Sequence, residues 1–253
     1  MTVIETPAPR APLSPNALIL IAACVGLGWA VASAVPPLGL FTFAFVVATW
    51  ILSVGVHEFG HAFAAHKAGD TTIVEKGYLT LDPLKYTDLV TTLILPLVAL
   101  ALGGIGFPGG AVYLREDLMR SRGWRSLASL AGPIGTLVVL ILIAMALPFV
   151  TSAPLRNALS MLAFLQGSAL VLNLLPIPGL DGYGVLRPFL SDGARAAMAK
   201  VERVGFLLLF ALIFWVPGVS KMIFGAALAI TDILGVSRPA IGAGWQTFRF
   251  WGA

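Results

Sequence analysis

Residues 11–56 contain no Asp, Glu, Lys or Arg, a charge-free run of 46 positions. As one helix they would extend roughly 69 Å at 1.5 Å per residue, about twice the ~30 Å hydrocarbon core of a bilayer. The run must therefore fold back once. Pro36-Pro37 marks the place, because proline lacks an N–H and biases its predecessor away from helix. This predicts one helix at about 16–35 and a second starting near Leu38. Only 11% of the 253 residues are charged and 58% are hydrophobic, against about 25% charged in a typical soluble domain. That balance excludes a soluble enzyme, a disordered chain and a nucleic-acid binder, and a net charge of +4 is too small to argue otherwise. The lone cysteine, Cys24, can form no intrachain disulfide.

Further uncharged runs follow at 89–114, 126–155 and 157–180, and a last apolar stretch at 204–234 is interrupted by Pro217-Gly218, Lys221 and Asp232. The last stretch reads as two shorter helices. Within 89–114, Pro96 and the glycine-rich Gly103–Gly110 stop a full span, so a re-entrant helix at 88–103, a turn and a strand at 111–114 are expected. Basic residues gather in alternate loops: Arg10; Lys67, Lys76 and Lys85; Arg115, Arg120, Arg122 and Arg125; Arg187, Arg195, Lys200 and Arg203. The positive-inside rule assigns those loops, and both termini, to the cytoplasm. Trp245, Phe248, Phe250 and Trp251 beside Arg249 read as an interfacial anchor. The expected fold is an all-α polytopic protein of the cell membrane, with about six transmembrane helices and one re-entrant element. It is one integral domain over 1–253, with a cytoplasmic tail at 1–15, a core at 38–190, and C-terminal helices and an interfacial tail at 204–253.

All three histidines fall within ten residues, and two of them form His57-Glu58-Phe59-Gly60-His61. On a helix, positions i and i+4 share a face, so both imidazoles can reach one metal with Glu58 beside it. His66 sits about half a turn away from that face and reads as a helix-end residue. In a soluble protein this short motif is often a chance match. Here Glu58 lies deep in an apolar helix, where one ionised group costs roughly 2.5–3.5 kcal/mol or more to insert. Such a group persists when it pairs, binds metal or lines a wet cavity.

Two histidines leave a metal site incomplete. The end of 157–180 reads Asn173-Leu174-Leu175-Pro176-Ile177-Pro178-Gly179-Leu180-Asp181-Gly182. Its prolines break the helix and leave unpaired backbone groups and Asp181 at membrane depth, which is tolerable only against protein or a water-filled cavity. Alone, the segment could be an ordinary proline-rich membrane exit. Beside the paired histidines, Asp181 supplies the missing carboxylate.

His57–His61, Ala131-Gly132-Pro133 and Asn173–Gly182 resemble, in order and spacing, the motifs of the site-2 proteases, the intramembrane zinc metalloproteases. Gly69-Asp70 through Leu81-Asp82-Pro83-Leu84, and Phe107 through Arg115, are similar to the compact bacterial branch without PDZ or CBS domains. The resemblance covers about residues 40–190 and implies a three-helix metalloprotease core. It makes His57, His61 and Asp181 ligands of one zinc per chain, Glu58 the base, and Asn173 a substrate or transition-state contact. The chain departs at Thr136, where the family commonly has asparagine in G-P-x-x-N.

Two imidazoles and a carboxylate leave a fourth position for water, as in catalytic zinc sites, although iron or cobalt would suit the same donors nearly as well. Bound zinc lowers the pKa of water to about 7 and polarises a carbonyl, and Glu58 is placed to move the proton. The expected partners are a transmembrane protein substrate and the lipid bilayer. The competing readings are an ion carrier built on a broken helix and a pseudo-protease that binds membrane helices without cutting them. The full set His57, Glu58, His61 and Asp181 favours the enzyme.

Overall fold

The computed structural model describes residues 13–86, 112–216 and 218–252. The expected re-entrant helix at 88–103, the glycine-rich turn after it and position 111 lie outside the described residues. The main elements are α1 (Pro15–Ala32), α2 (Leu38–Ala68), α3 (Arg122–Ala146), α4 (Ala153–Asn173), α5 (Asp181–Leu186), α6 (Asp192–Trp215), α7 (Val219–Ile233) and α8 (Arg238–Phe248). Among the described residues, four helices are long and apolar enough to cross a membrane: α1, α2, α3 with its 3-10 extension to Phe149, and α4.

Local chemistry sets the boundaries. Ser14 caps α1 by accepting from the Ala17 N–H at 3.0 Å, with Pro15 in the first turn. Pro36 and Pro37 separate α1 from α2 as the sequence requires. Gly69 ends α2 at φ 121°, a conformation that side chains rarely adopt. The break expected at Pro217-Gly218 falls between α6, which ends at Trp215, and α7, which starts at Val219.

Apolar surface gains little by leaving lipid for another helix, so close packing decides association inside a bilayer. The α2–α3 contact is the most extensive among the described residues, and glycine makes it possible. A Cβ on Gly60 would lie 2.4 Å from the Ala131 carbonyl oxygen, and one on Gly135 would lie 2.9 Å from that of Val56. Elsewhere, Phe45, Val46, Trp50 and Val54 of α2 pack with Met161, Leu162 and Leu165 of α4 and with Phe248 of α8. Phe248 thus sits in the core, fully buried, with Trp245 packed against the same cluster. Its helix approaches α4 closely enough for Gly244 to rest on the Asn157 carbonyl.

Residues 112–115 form no strand, and none occurs among the described residues. The reason lies in where their backbone groups go. The Arg115 N–H donates to Asp70 at 2.8 Å, and the Tyr113 carbonyl accepts from Lys76 Nζ at 2.7 Å. Side chains just after α2, Asp70 and Lys76, therefore hold this segment, where a strand would need another backbone. Asp70 is fully buried and also accepts from the N–H and hydroxyl of Thr72. Asp82 similarly accepts from Asn16 and the Leu84 N–H, joining the loop to α1.

Candidate metal centre

His57 and His61 lie one turn apart on α2, 8% and 7% exposed, with their rings edge to face. Asp181 opens α5, directly after the break at Pro176–Leu180. The broken segment turns Asp181 back onto α2. His57 Nε2 is 3.2 Å from Asp181 Oδ2, His61 Nε2 is 3.2 Å from Asp181 Oδ1, and the two Nε2 atoms are 3.1 Å apart. Three potential ligands from two distant parts of the chain thus meet at one point.

The outer ring nitrogens are engaged as well. His61 Nδ1 donates to the Ala128 carbonyl at 2.7 Å, which leaves the neutral ring's lone pair on Nε2. His57 Nδ1 lies 2.8 Å from Thr136 Oγ1, and donation to that hydroxyl presents Nε2 in the same way. Ala128, Gly132 and Thr136 recur every four residues and so share the face of α3 turned toward the histidines. Gly132 stands between the two partners. A Cβ there would lie 2.2 Å from His61 Nε2 and 2.7 Å from His57 Nε2. The Ala-Gly-Pro motif thus has a steric meaning: only glycine lets α3 approach the imidazoles this closely.

The donor set fits a divalent cation. Two nitrogen lone pairs and a carboxylate converge at 3.1–3.2 Å, with no proton to share while the rings are neutral. Ligands on a tetrahedral ion with bonds of about 2.05 Å would be about 3.3 Å apart. Asp181 Oδ2 is also buried without a hydrogen-bond donor. Imidazole with carboxylate suits zinc.

Glu58, only 4% exposed, follows His57 on α2, and its carboxylate accepts a hydrogen bond from the Val112 backbone. The segment 112–115 therefore reaches the centre itself. Just beyond it, Arg115 pairs with Asp117 and holds that exposed carboxyl down at about 2, so the pair stays charged at neutral pH. Asn173 closes α4 and is buried, but its side chain makes no hydrogen bond to His57, Glu58, His61 or Asp181 among the described residues. His66 lies in the last turn of α2, outside the cluster. The sequence reading missed Thr136 as a partner, the Ala128 carbonyl and Val112. The four-residue spacing of Ala128, Gly132 and Thr136 is the signal that could have found the first two.

Two histidines and a glutamate on a helix long enough to cross a bilayer, met by Asp181 of a short helix, define a multi-pass membrane protein of the metalloprotease type. The chain is 43% identical over 247 residues to "Putative zinc metalloprotease Rip2" of Mycolicibacterium smegmatis, covering 95% of each. It is 41% identical to the protein of the same name in Mycobacterium tuberculosis, across 95% of this chain and 93% of that one. "Putative zinc metalloprotease YwhC" of Bacillus subtilis is 33% identical over 191 residues, or 72% of this chain and 84% of the relative. No family model and no solved structure matches. The chain belongs to the site-2 protease family of zinc metalloproteases, in its compact bacterial branch.

Proposed function

We propose that the protein is a zinc-dependent endopeptidase that hydrolyses peptide bonds within or near the transmembrane segments of other membrane proteins. The observation that carries this reading is the convergence of His57 and His61, beside Glu58 on a helix of membrane-spanning length, with Asp181 of the short α5. Zinc held by those three side chains would acidify water and polarise the scissile carbonyl. Glu58 takes the proton of the attacking water and returns it to the leaving amine. Thr136 and the Ala128 carbonyl keep each imidazole presenting Nε2.

Water must reach a buried site, and the non-helical stretch 174–180 with the half-buried Asp181 supplies a polar route. A transmembrane substrate hides its amides until it locally unwinds, and its freed backbone then needs partners. Residues 112–115 lie beside Glu58, where the substrate backbone would pass, and pairing with it would exchange the bonds that Asp70 and Lys76 now make to this segment. Asn173 is assigned a contact with the substrate or transition state, by its match to the family motif alone. The protein is placed in the cell membrane with both termini and the basic loops in the cytoplasm, on the distribution of Lys and Arg.

The test is reconstitution of the zinc-loaded protein with a single-span substrate, the cleaved bond being located by mass spectrometry. Cleavage within or at the edge of the span is expected. Cleavage confined to soluble loops, or equal hydrolysis of a soluble unfolded peptide, would remove the intramembrane assignment.

A further inference from the structure

A second polar site contains none of the metal ligands. Glu116, Arg125, Tyr183, Arg187 and Arg195 line a cavity of about 310 Å³. Three guanidiniums and one carboxylate leave a net lining charge of +2. The arginines differ in what satisfies them. Arg187 pairs with Glu116 inside the cavity. Arg195 pairs with Asp192, whose side chain is 94% exposed, so that pair is screened by water and easily exchanged. Arg125 has no ion pair among the described residues, and its Nε is buried with no acceptor at all. A buried donor left unsatisfied costs free energy that a ligand oxygen would recover.

The position narrows the ligand. Arg125 lies in the first turn of α3, the end of a helix long and apolar enough to cross a membrane. That is the depth at which lipid phosphates lie, and basic pockets between membrane helices take such groups. Guanidinium forks match phosphate oxygens two at a time, and three of them around one cavity exceed what a single carboxylate needs. We propose that this cavity is a binding site for a phosphate group, supplied by the headgroup of an anionic lipid or by free phosphate. The site is independent of whether the chain cuts peptides.

The test uses the full-length protein in a neutral detergent. Native mass spectrometry reads retention of phosphatidylglycerol against phosphatidylcholine, and inorganic phosphate is titrated as competitor. Wild type should retain phosphatidylglycerol about tenfold more strongly than phosphatidylcholine, the scale of one charge-assisted hydrogen bond. Arg125→Gln should erase that preference, Arg195→Gln should reduce it, and Arg249→Gln, on the exposed tail, should not change it. Unaltered zinc content verifies that each variant is folded. Displacement by inorganic phosphate supports a general phosphate site, and lipid retention that phosphate cannot displace supports the headgroup. The proposal is overturned if Arg125→Gln and Arg195→Gln both bind like wild type. It is equally overturned if an acidic peptide occupies the site while lipid and inorganic phosphate do not.

Discussion

Thr136 Oγ1 lies 2.8 Å from His57 Nδ1, across the contact between α2 and α3, with both side chains buried. The position that departs from the family's usual asparagine is therefore a direct partner of a potential metal ligand. A hydroxyl there can accept the imidazole N–H and set both its tautomer and its orientation.

From this follows an asymmetric pair of variants. Thr136→Val keeps the shape and removes the acceptor, so zinc affinity should fall roughly 10- to 100-fold, or about 1.4–2.8 kcal/mol. Thr136→Ser should restore most of it. Chelator competition measures both, and equal affinity in the valine and serine variants would mean that the hydroxyl does nothing for the ligand.

Gly132→Ala should be far more damaging than its size suggests. The added methyl would meet both imidazole Nε2 atoms, 2.2 and 2.7 Å away. Either α3 retreats or the histidines rotate, and metal is lost in both cases. Zinc content should drop to background, with a stability loss of about 1–3 kcal/mol from overpacking. The control is Gly225→Ala on α7, which meets nothing within 4 Å and should leave zinc unchanged.

Asp70→Ala should uncouple the segment 112–115 from α2. It deletes a buried acceptor of three hydrogen bonds, two from Thr72 and one from the Arg115 N–H. A stability loss of about 1–3 kcal/mol is expected from the stranded donors, read as a lower unfolding midpoint. Zinc content should be unchanged, since no ligand rests on Asp70. Peptide hydrolysis should fall, because Val112 would no longer be held against Glu58.

Removing the metal should abolish activity without unfolding the chain. The ligands are carried by helices that pack through α2, α3 and α4, and no buried core cluster consists of the ligands. Circular dichroism should show the same helicity before and after chelation, and zinc should restore hydrolysis. Asp181→Ala should lower zinc affinity, and undiminished binding would remove it from the ligand set.

Much of this architecture can be read from the residues, and the limits are physical. Spans are legible because charge is excluded from lipid, so α1, α2, α3 and α4 follow from the runs between charged loops. His57, Glu58 and His61 are legible because helix periodicity places them together. Asp181 needed the proline-broken segment to mark it as unusual. What sequence hides is contact between helices. Thr136 looks like a missing asparagine until α3 is docked, and the Ala128 carbonyl has no side-chain signature at all. The strand expected at 111–114 does not form over 112–114, where Asp70, Lys76 and Glu58 hold backbone groups of the segment. Phe248 carries the aromatic mark of an interface but fills the core beside Phe43.

The central claim is that Glu58 moves the proton while His57, His61 and Asp181 hold the metal. Glu58→Gln keeps the length of the side chain and removes its basicity, so it separates the two roles. The measurement is zinc content together with cleavage of a reconstituted single-span substrate, on the same preparation of wild type and variant. The account predicts full zinc occupancy with no detectable cleavage by the variant. Cleavage by Glu58→Gln at a rate near wild type would contradict it.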